Sequence, residues 1–455
     1  MRAESSSITR RLFLPVQDII HDEVNSGSTL LIAAVVALLW ANSPWAGTYF
    51  SLRETHLVVD FAVLRIDESI GHWINDALMA VFFFVVGLEI KHEFTHGQLS
   101  DRRQAVLPIV AAFGGMIVPA LFFLLCTRDG AGSRGWGIPM ATDIAFALGV
   151  LALLGRRIPV EVRVFLLALA IVDDIGAILV IALFYTEHVS YPSLGIAFLL
   201  LGAIMVMRRV GVRNVMAYVM VGACLWLATF QSGVHATLAG VALGLLTPAY
   251  PLISHDDFLR QAGPLLERLR GYLAANDWAK AEVTLGKMEE LTRESEAPLE
   301  RLQRQVHPWV SFLVLPLFAL ANAGIALDGE TVRGALTSPV TLGVMLGLVA
   351  GKVIGIVGAC RLALHLRVAT LPSVMTHSHL IGVGLLAGMG FTVSIFIAGL
   401  AYDDAALVAE AKIGILVASL VAALAGYGFL RGTTKVAPVA ATNGQNVRED
   451  AAEGT

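Results

Sequence analysis

The chain has 455 residues, 56% of them hydrophobic and only 15% charged, against about 25% charged for an average soluble protein. A mean hydropathy of +0.72 exceeds what one large core accounts for, because a water-soluble surface needs charges that this chain lacks. A net charge of -4 provides no basic field for nucleic acid, and no GxxxxGK[ST] phosphate loop occurs, so neither nucleic-acid binding nor nucleotide-driven pumping is expected, and the class is a polytopic membrane protein.

In chain order, residues 1–26 carry Ser5, Ser6 and Ser7 and then Thr9-Arg10-Arg11, a superficial twin-arginine export pattern. Gln17, Asp18, His21, Asp22 and Glu23 interrupt any apolar core, so a cytoplasmic amphipathic segment is expected. Runs near twenty apolar residues then predict about twelve spans, beginning near Ser28, Gly71, Ala105, Gly135, Pro159, Ser193, Asn214, Gly233, Pro308, Val340, Met375 and Lys412. Spans 1–8 fill 27–250, a polar insert 251–307, spans 9–12 308–431, and a disordered tail 432–455. Only Gln231, Ser232 and Gly233 separate spans 7 and 8. Alternating Leu57, Val59, Phe61 and Val63 between spans 1 and 2 would suit a strand pair across a homodimer.

From Ser254 to Gln305 stand ten acidic and eight basic residues, with Leu265, Leu266, Leu269, Tyr272 and Leu273 at helical spacing. This reads as a cytoplasmic helical hairpin, the alternative being a solvated linker. Cys126, Cys224 and Cys360 are isolated from one another and from histidines, which leaves them as core residues and gives neither a disulfide framework nor a zinc site. Of the Lys and Arg at or beyond span ends, 25 fall on the side of the N-terminus and six on the other, so both termini are expected in the cytoplasm.

An ionised group deep in a bilayer costs at least ~2.5 kcal/mol, so ionisable residues inside spans are functional candidates by default. Here they are Thr142-Asp143 in span 4 after Pro139, Asp173-Asp174 in span 5, Gly351-Lys352 in span 10, and Asp76 and Glu89 in span 2. Adjacent helical residues point about 100° apart, so Asp173 and Asp174 are expected to have different partners. Carboxylates, a hydroxyl and unwound carbonyls are the oxygen ligands that sodium or lithium takes, and a carboxylate that holds a cation in one state can hold a proton in another. Buried ion pairs or helix-break caps without transport are the structural alternative. Pro139 in span 4 and Gly382, Gly384, Gly388 and Gly390 in span 11 mark two discontinuous spans, each central to a group of three (spans 3–5 and 10–12), as in an inverted repeat. Asp143 and Lys352 are plausible compensators of the exposed helix ends.

Several strings resemble the NhaA-type sodium/proton antiporters: Gly135-Trp136-Gly137-Ile138-Pro139-Met140-Ala141-Thr142-Asp143, Val172-Asp173-Asp174-Ile175-Gly176, Gly233-Val234-His235-Ala236-Thr237, His307-Pro308-Trp309, and Gly390-Phe391-Thr392-Val393-Ser394. The resemblance runs from about Ser28 to Arg431 outside the polar insert. It implies an all-α polytopic protein of the bacterial inner membrane with crossed broken helices in spans 4 and 11; that architecture is known for the family, so the inverted-repeat expectation rests on the resemblance as well as on the two breaks. It also implies electrogenic, pH-regulated exchange of sodium or lithium for protons, in contact with membrane lipid and with no cofactor. By position, Asp174 is the principal cation and proton site, Asp173 stands beside it, Lys352 is the intramembrane partner of Asp173, and Thr142 and Asp143 lie at the span 4 break. Asp76, Glu89 and Glu93 match acidic positions of the cytoplasmic funnel and pH-sensing region. His92 replaces the usual arginine there, and the insert is longer than usual.

Glu89, His92 and Glu93 share a helical face, so His92 is expected to reach Glu89. His235 is either a pH sensor or a packing histidine. Two other classes also place carboxylates within membrane spans. An intramembrane aspartyl protease needs two aspartates sharing a proton, usually in YD and GxGD contexts that are missing here. A passive cation channel would more naturally show repeated pore loops than an aspartate doublet with one buried lysine.

Overall fold

The computed structural model describes residues 23–434 apart from 62–63, 129, 187–188, 213–214 and 373. The N-terminal segment up to Asp22, the tail from Lys435 and the Val63 position therefore lie outside the described residues. The first span is α1 (Glu23–Ala41), and α2 (Ala46–Glu54) turns off it by 111°. Strands β1 (His56–Phe61) and β2 (Leu64–Ser69) pair antiparallel within the chain, with His56 opposite Ser69. The alternation at Leu57 and Val59 is thus taken up by an intramolecular hairpin. Trp73 Nε1 donates to Leu57 O and ties that hairpin to the next helix.

The bundle proper continues with α3 (Ile70–Thr95) and α4 (Arg102–Thr127). A 3₁₀ stretch (Ala131–Met140) leads into α5 (Ile144–Leu153), followed by α6 (Val160–Phe184), α7 (Tyr191–Val210), α8 (Val215–Gln231) and α9 (Thr237–Leu246). Polar helices α10 (His255–Ala274) and α11 (Trp278–Ser295) precede α12 (Pro298–Asn322), α13 (Gly329–Thr337), α14 (Pro339–His365), α15 (His377–Leu386), α16 (Phe391–Ala401) and α17 (Ala405–Thr433). Seven of these are single helices long and apolar enough to cross a membrane, three bent pairs also qualify, and α8 and α9 are shorter apolar helices. The chain is a multi-pass helical membrane protein.

Two predicted starts differ from the structure. Helix α12 begins at Pro298 and not at Pro308, because the polar turns from Leu299 onward simply extend the same helix beyond its apolar part; α17 likewise starts at Ala405, capped by Asp404. Both predicted breaks are present: the 3₁₀ stretch and α5 meet at 43°, and α15 and α16 at 48°. Of the four glycines in span 11, Gly388 and Gly390 lie at the break, whereas Gly382 and Gly384 lie within α15 against Leu430 and Val353.

Of the seven single-helix spans α6 is the most enclosed, 61% of its most apolar stretch being buried against 11% for α7. The site described below is therefore built around α6, while α7 and α8 form a small flanking core with Ala239 of α9. In the insert, Asp277 caps α11 by accepting from Lys280 N at 3.2 Å, and Lys280 Nζ stands 2.8 Å away; that ammonium holds the Asp277 carboxyl below the usual carboxylate range.

Without a hydrophobic effect between helices in lipid, close backbone approach supplies the packing energy. At the α4/α14 crossing a Cβ on Gly355 would sit 2.1 Å from Gly114 O, and one on Gly114 2.2 Å from Gly355 O. Gly358, one turn along α14, faces open space. Gly355→Ala is therefore expected to force the helices apart and destabilise by about 1–3 kcal/mol, whereas Gly358→Ala gains up to ~1 kcal/mol of helix propensity. Thermal melts of both variants in detergent check this, and equal shifts would contradict the close crossing.

Candidate ion site at the crossed helix breaks

Each break leaves helix-end carbonyls and amides without intrahelical partners inside the protein. Ala141 and Asp143, on either side of Thr142, are extended and separate the 3₁₀ stretch, which contains Pro139, from α5. The Asp143 carboxylate accepts from Phe146 N at 3.0 Å, capping α5, and across the crossing from Thr392 N at 3.1 Å and Thr392 Oγ1 at 2.6 Å. The residue at the cap position of α16 is Gly390, which has no side chain to cap with; Asp143 supplies the acceptor for both helix N-termini. Asp143 N in turn donates to Met389 O.

The two opposed C-terminal ends are met by donors. Lys352 Nζ donates to Met140 O and, at 2.5 Å, to Asp173 Oδ2. The Thr142 hydroxyl lies 2.7 Å from Asp173 Oδ2 and 2.9 Å from Ala387 O, so its one proton is shared between the doublet and the end of α15. Ser394 Oγ donates to Ile138 O. Lys352 is fully buried and directly follows a π turn (Gly347–Gly351) in α14, which shifts the register of the helix just before this side chain.

Asp173 and Asp174 diverge, as adjacent helical residues must. Asp173 joins Lys352 and Thr142; Asp174 faces a cavity of about 360 Å³. Both are buried, and the Oδ1 atom of each has no hydrogen-bond partner. The cavity runs from Thr142, Asp143, Asp174 and Thr392 to Glu89, His92 and Glu93 near the end of α3 and to Gln303 and His307 of α12. A protease dyad would need the two aspartates to face one another across a shared proton; these two face apart.

The other sequence candidates divide. Glu93 Oε2 accepts from Gln98 N at 2.9 Å and so closes the turn after α3. His92 does not pair with Glu89 as the helical spacing suggested: its Nδ1 is buried without a partner and its ring lies against His96, centroids 5.8 Å apart. Asp76 is not brought to this cavity. It lies in a π turn (Ile74–Leu78) near the opposite end of α3, about 20 Å from Glu89 at 1.5 Å per residue, with His72 Nε2 3.4 Å away. His235 Nε2 stands 2.9 Å from Tyr185 O, a packing contact away from the cavity. Sequence reading missed Thr392, Ser394, Gln303 and His307 as members of the site. Thr392 carried a signal, a hydroxyl residue opening a helix directly after a glycine break.

The Na+/H+ antiporter 1 family model matches residues 17–430. The chain belongs to the NhaA-type Na+/H+ antiporter family. It is 45% identical to the Na(+)/H(+) antiporter NhaA of Rhodopirellula baltica over 94% of this chain and 98% of the relative. With NhaA 1 of Klebsiella pneumoniae identity is 46% over 91% and 96%, and with NhaA 2 of Sorangium cellulosum 43% over 92% and 89%. The protein is an antiporter of a multi-pass bacterial membrane family and not an enzyme.

The Asp173–Lys352 contact yields a stability prediction. Lys352→Met leaves a buried carboxylate without its cation, a loss of about 3–5 kcal/mol when one partner of such a pair is removed. Combining it with Asp173→Asn should recover much of that loss. A double-mutant cycle on melting in detergent reads the coupling, and simple additivity would mean that the pair is not coupled.

Proposed function

We propose that this antiporter carries intracellular sodium or lithium out in exchange for external protons across the bacterial inner membrane, electrogenically and under pH control, in the service of sodium and pH homeostasis. The proposed frame has twelve spans, counting α8 and α9, with both termini cytoplasmic and spans 3–5 and 10–12 as inverted repeats. The insert expected at 251–307 forms a cytoplasmic helical unit up to Ser295, its last ten residues being the polar start of α12. The observation that carries the reading is the unequal use of the carboxylates. Asp143 is spent on two helix caps and Asp173 is bound through Oδ2 to Lys352 and Thr142, while Asp174, which lines the cavity, has no side-chain hydrogen bond or ion pair among the described residues. A carboxylate so placed can bind a hard cation or a proton, but not both.

Electrogenicity has a geometric rationale in the same atoms. If Asp173 turns to join Asp174 around the incoming cation, the fully buried Lys352 loses its counter-charge, and the ammonium form becomes costly. The lysine proton is then released along with that of Asp174, so more protons than cations cross per cycle. Alternating access follows if the crossed breaks shift against the remaining helices while the site stays near their intersection. For pH control, Glu89 lines the entry with His92 and Glu93 of its own helix, His307 of α12 and Asp174 of α6.

Asp174→Asn is expected to abolish exchange, read as sodium-dependent collapse of a pH gradient in everted vesicles; activity at the level of the unmodified protein would sink the assignment. Asp143→Asn, which keeps one acceptor oxygen for the caps, should retain part of the activity. Because protons and sodium compete, the apparent sodium affinity should weaken as pH falls, approaching about tenfold per pH unit for each competing proton. A sodium affinity independent of pH between 6 and about 9 would argue for a passive pathway. Replacing 254–297 by a short polar linker should leave sodium affinity intact, as measured by isothermal titration on folded protein.

A further inference from the structure

At the rim of the cavity, outside the ion site, His92 stands in the last turn of α3 and His96, four residues on, caps that helix with its N donating to His92 O, while Glu300 stands in the first turn of α12. One ring nitrogen of each histidine and one carboxylate oxygen of Glu300 all lie within 4.8 Å of one another. Histidines at i and i+4 share a helix face and form the paired-imidazole half of many zinc sites. Ligands on one tetrahedral zinc, each at ~2.05 Å, sit about 3.4 Å apart. Here His96 and Glu300 are exposed, so closing the remaining gap calls on side-chain motion, chiefly of Glu300.

Three further observations point to a ligand. The buried Nδ1 of His92 has no partner, an arrangement that proteins rarely leave without an ion or water to satisfy it. The Nδ1 of His96 is 3.0 Å from Thr95 Oγ1, which orients its ring and leaves Nε2 as the outward ligand, and Tyr250 packs edge-on against the same ring at 5.5 Å. The nearby cations are engaged elsewhere: Arg304 with Glu296 at 2.5 Å, and Arg301 with Arg293 O.

We infer that His92, His96 and Glu300 form a regulatory site for a divalent d-block cation of the zinc type, which clips α3 to α12 at the cavity mouth and slows exchange. Two imidazoles and one carboxylate suit zinc, nickel or copper, while sodium, magnesium and calcium prefer all-oxygen sets, so this site does not compete with the transport site for its ions. Three protein ligands leave a fourth position for water. Because His92 also lines the cavity that leads to Asp174, a bridge from it to α12 would narrow the entry and resist relative motion of the two helices. The inhibitory half rests on the transport function proposed above; the binding half does not.

The test uses the full-length protein, carrying a purification tag without histidines, and zinc as the probe. Zinc titrated against the detergent-solubilised protein, in competition with a chromophoric chelator, should reveal one site, weakened at least about tenfold in His96→Gln and in Glu300→Gln. Micromolar zinc on the cytoplasmic face of everted vesicles should slow sodium-dependent proton movement by the unmodified protein and spare both variants. Equal zinc affinity in all three proteins, or no binding, overturns the site; inhibition that persists in both variants overturns the gate. One-site binding lost in the variants supports the site even where sodium exchange itself is not detected, so the two readings fail separately.

Discussion

A broken helix inside a membrane protein must find partners for its freed backbone groups within the protein, and two helices break side by side here. Everything near the ion site follows from that constraint. Two helix N-termini need a negative partner and receive one carboxylate, Asp143; two C-termini need donors and receive Lys352 at Met140 O and Thr142 at Ala387 O. Lys352 and Thr142 both also reach Asp173, so the second carboxylate is bound into the scaffold as well. Asp174 is what remains once the breaks have been satisfied: a carboxylate with no structural task.

The same sharing links ligand and conformation. An ion that drew Asp173 toward Asp174 would remove a partner from both Lys352 and Thr142, each of which is also holding a helix end. The ends of the 3₁₀ stretch and of α15 would then be under-satisfied in one state and satisfied in the other. A ligand shifts a conformational equilibrium only by its differential affinity for the two states, and here that difference has a concrete carrier, two donors that cannot fully serve the carboxylate and the helix ends at once. The Gly355–Gly114 crossing adds to this, because α14, which bears Lys352, lies too close to α4 to slide without moving it.

How much of this was legible from sequence depended on range along the chain. The spans were readable because apolar length is a local property, and the break in span 4 because Pro139 removes a backbone donor at a known place. The divergence of Asp173 and Asp174 follows from helix geometry alone. Among contacts between residues about 180 to 250 apart, Lys352 to Asp173 came only through the family resemblance, while Asp143 to Thr392, Lys352 to Met140, and Glu300 to the two histidines were not readable at all. The π turns at Ile74–Leu78, Val310–Val314 and Gly347–Gly351 were also invisible, since an inserted residue leaves composition and apparent periodicity almost unchanged. Helical spacing put His92 within reach of Glu89, yet reach is only permission; the ring instead packs toward His96.

The polar insert was readable as helical, but its mechanical position was not. Leu299, directly after the insert, is buried with Leu88 of α3 and Ala249, and Leu299 N donates to Pro248 O at 3.1 Å. Leu252 N and Ile253 N both reach Glu294 O, closing the start of the insert onto its end. The two polar helices are thereby fastened at a single neck, which leans on the helix that carries Glu89, His92 and His96. Their surface charges act on the ion site only through solvent, where screening over ~8–10 Å weakens them. A force transmitted through Leu299 onto Leu88 is not screened at all, so any influence of the insert on transport should depend on that apolar contact more than on the insert's many charges.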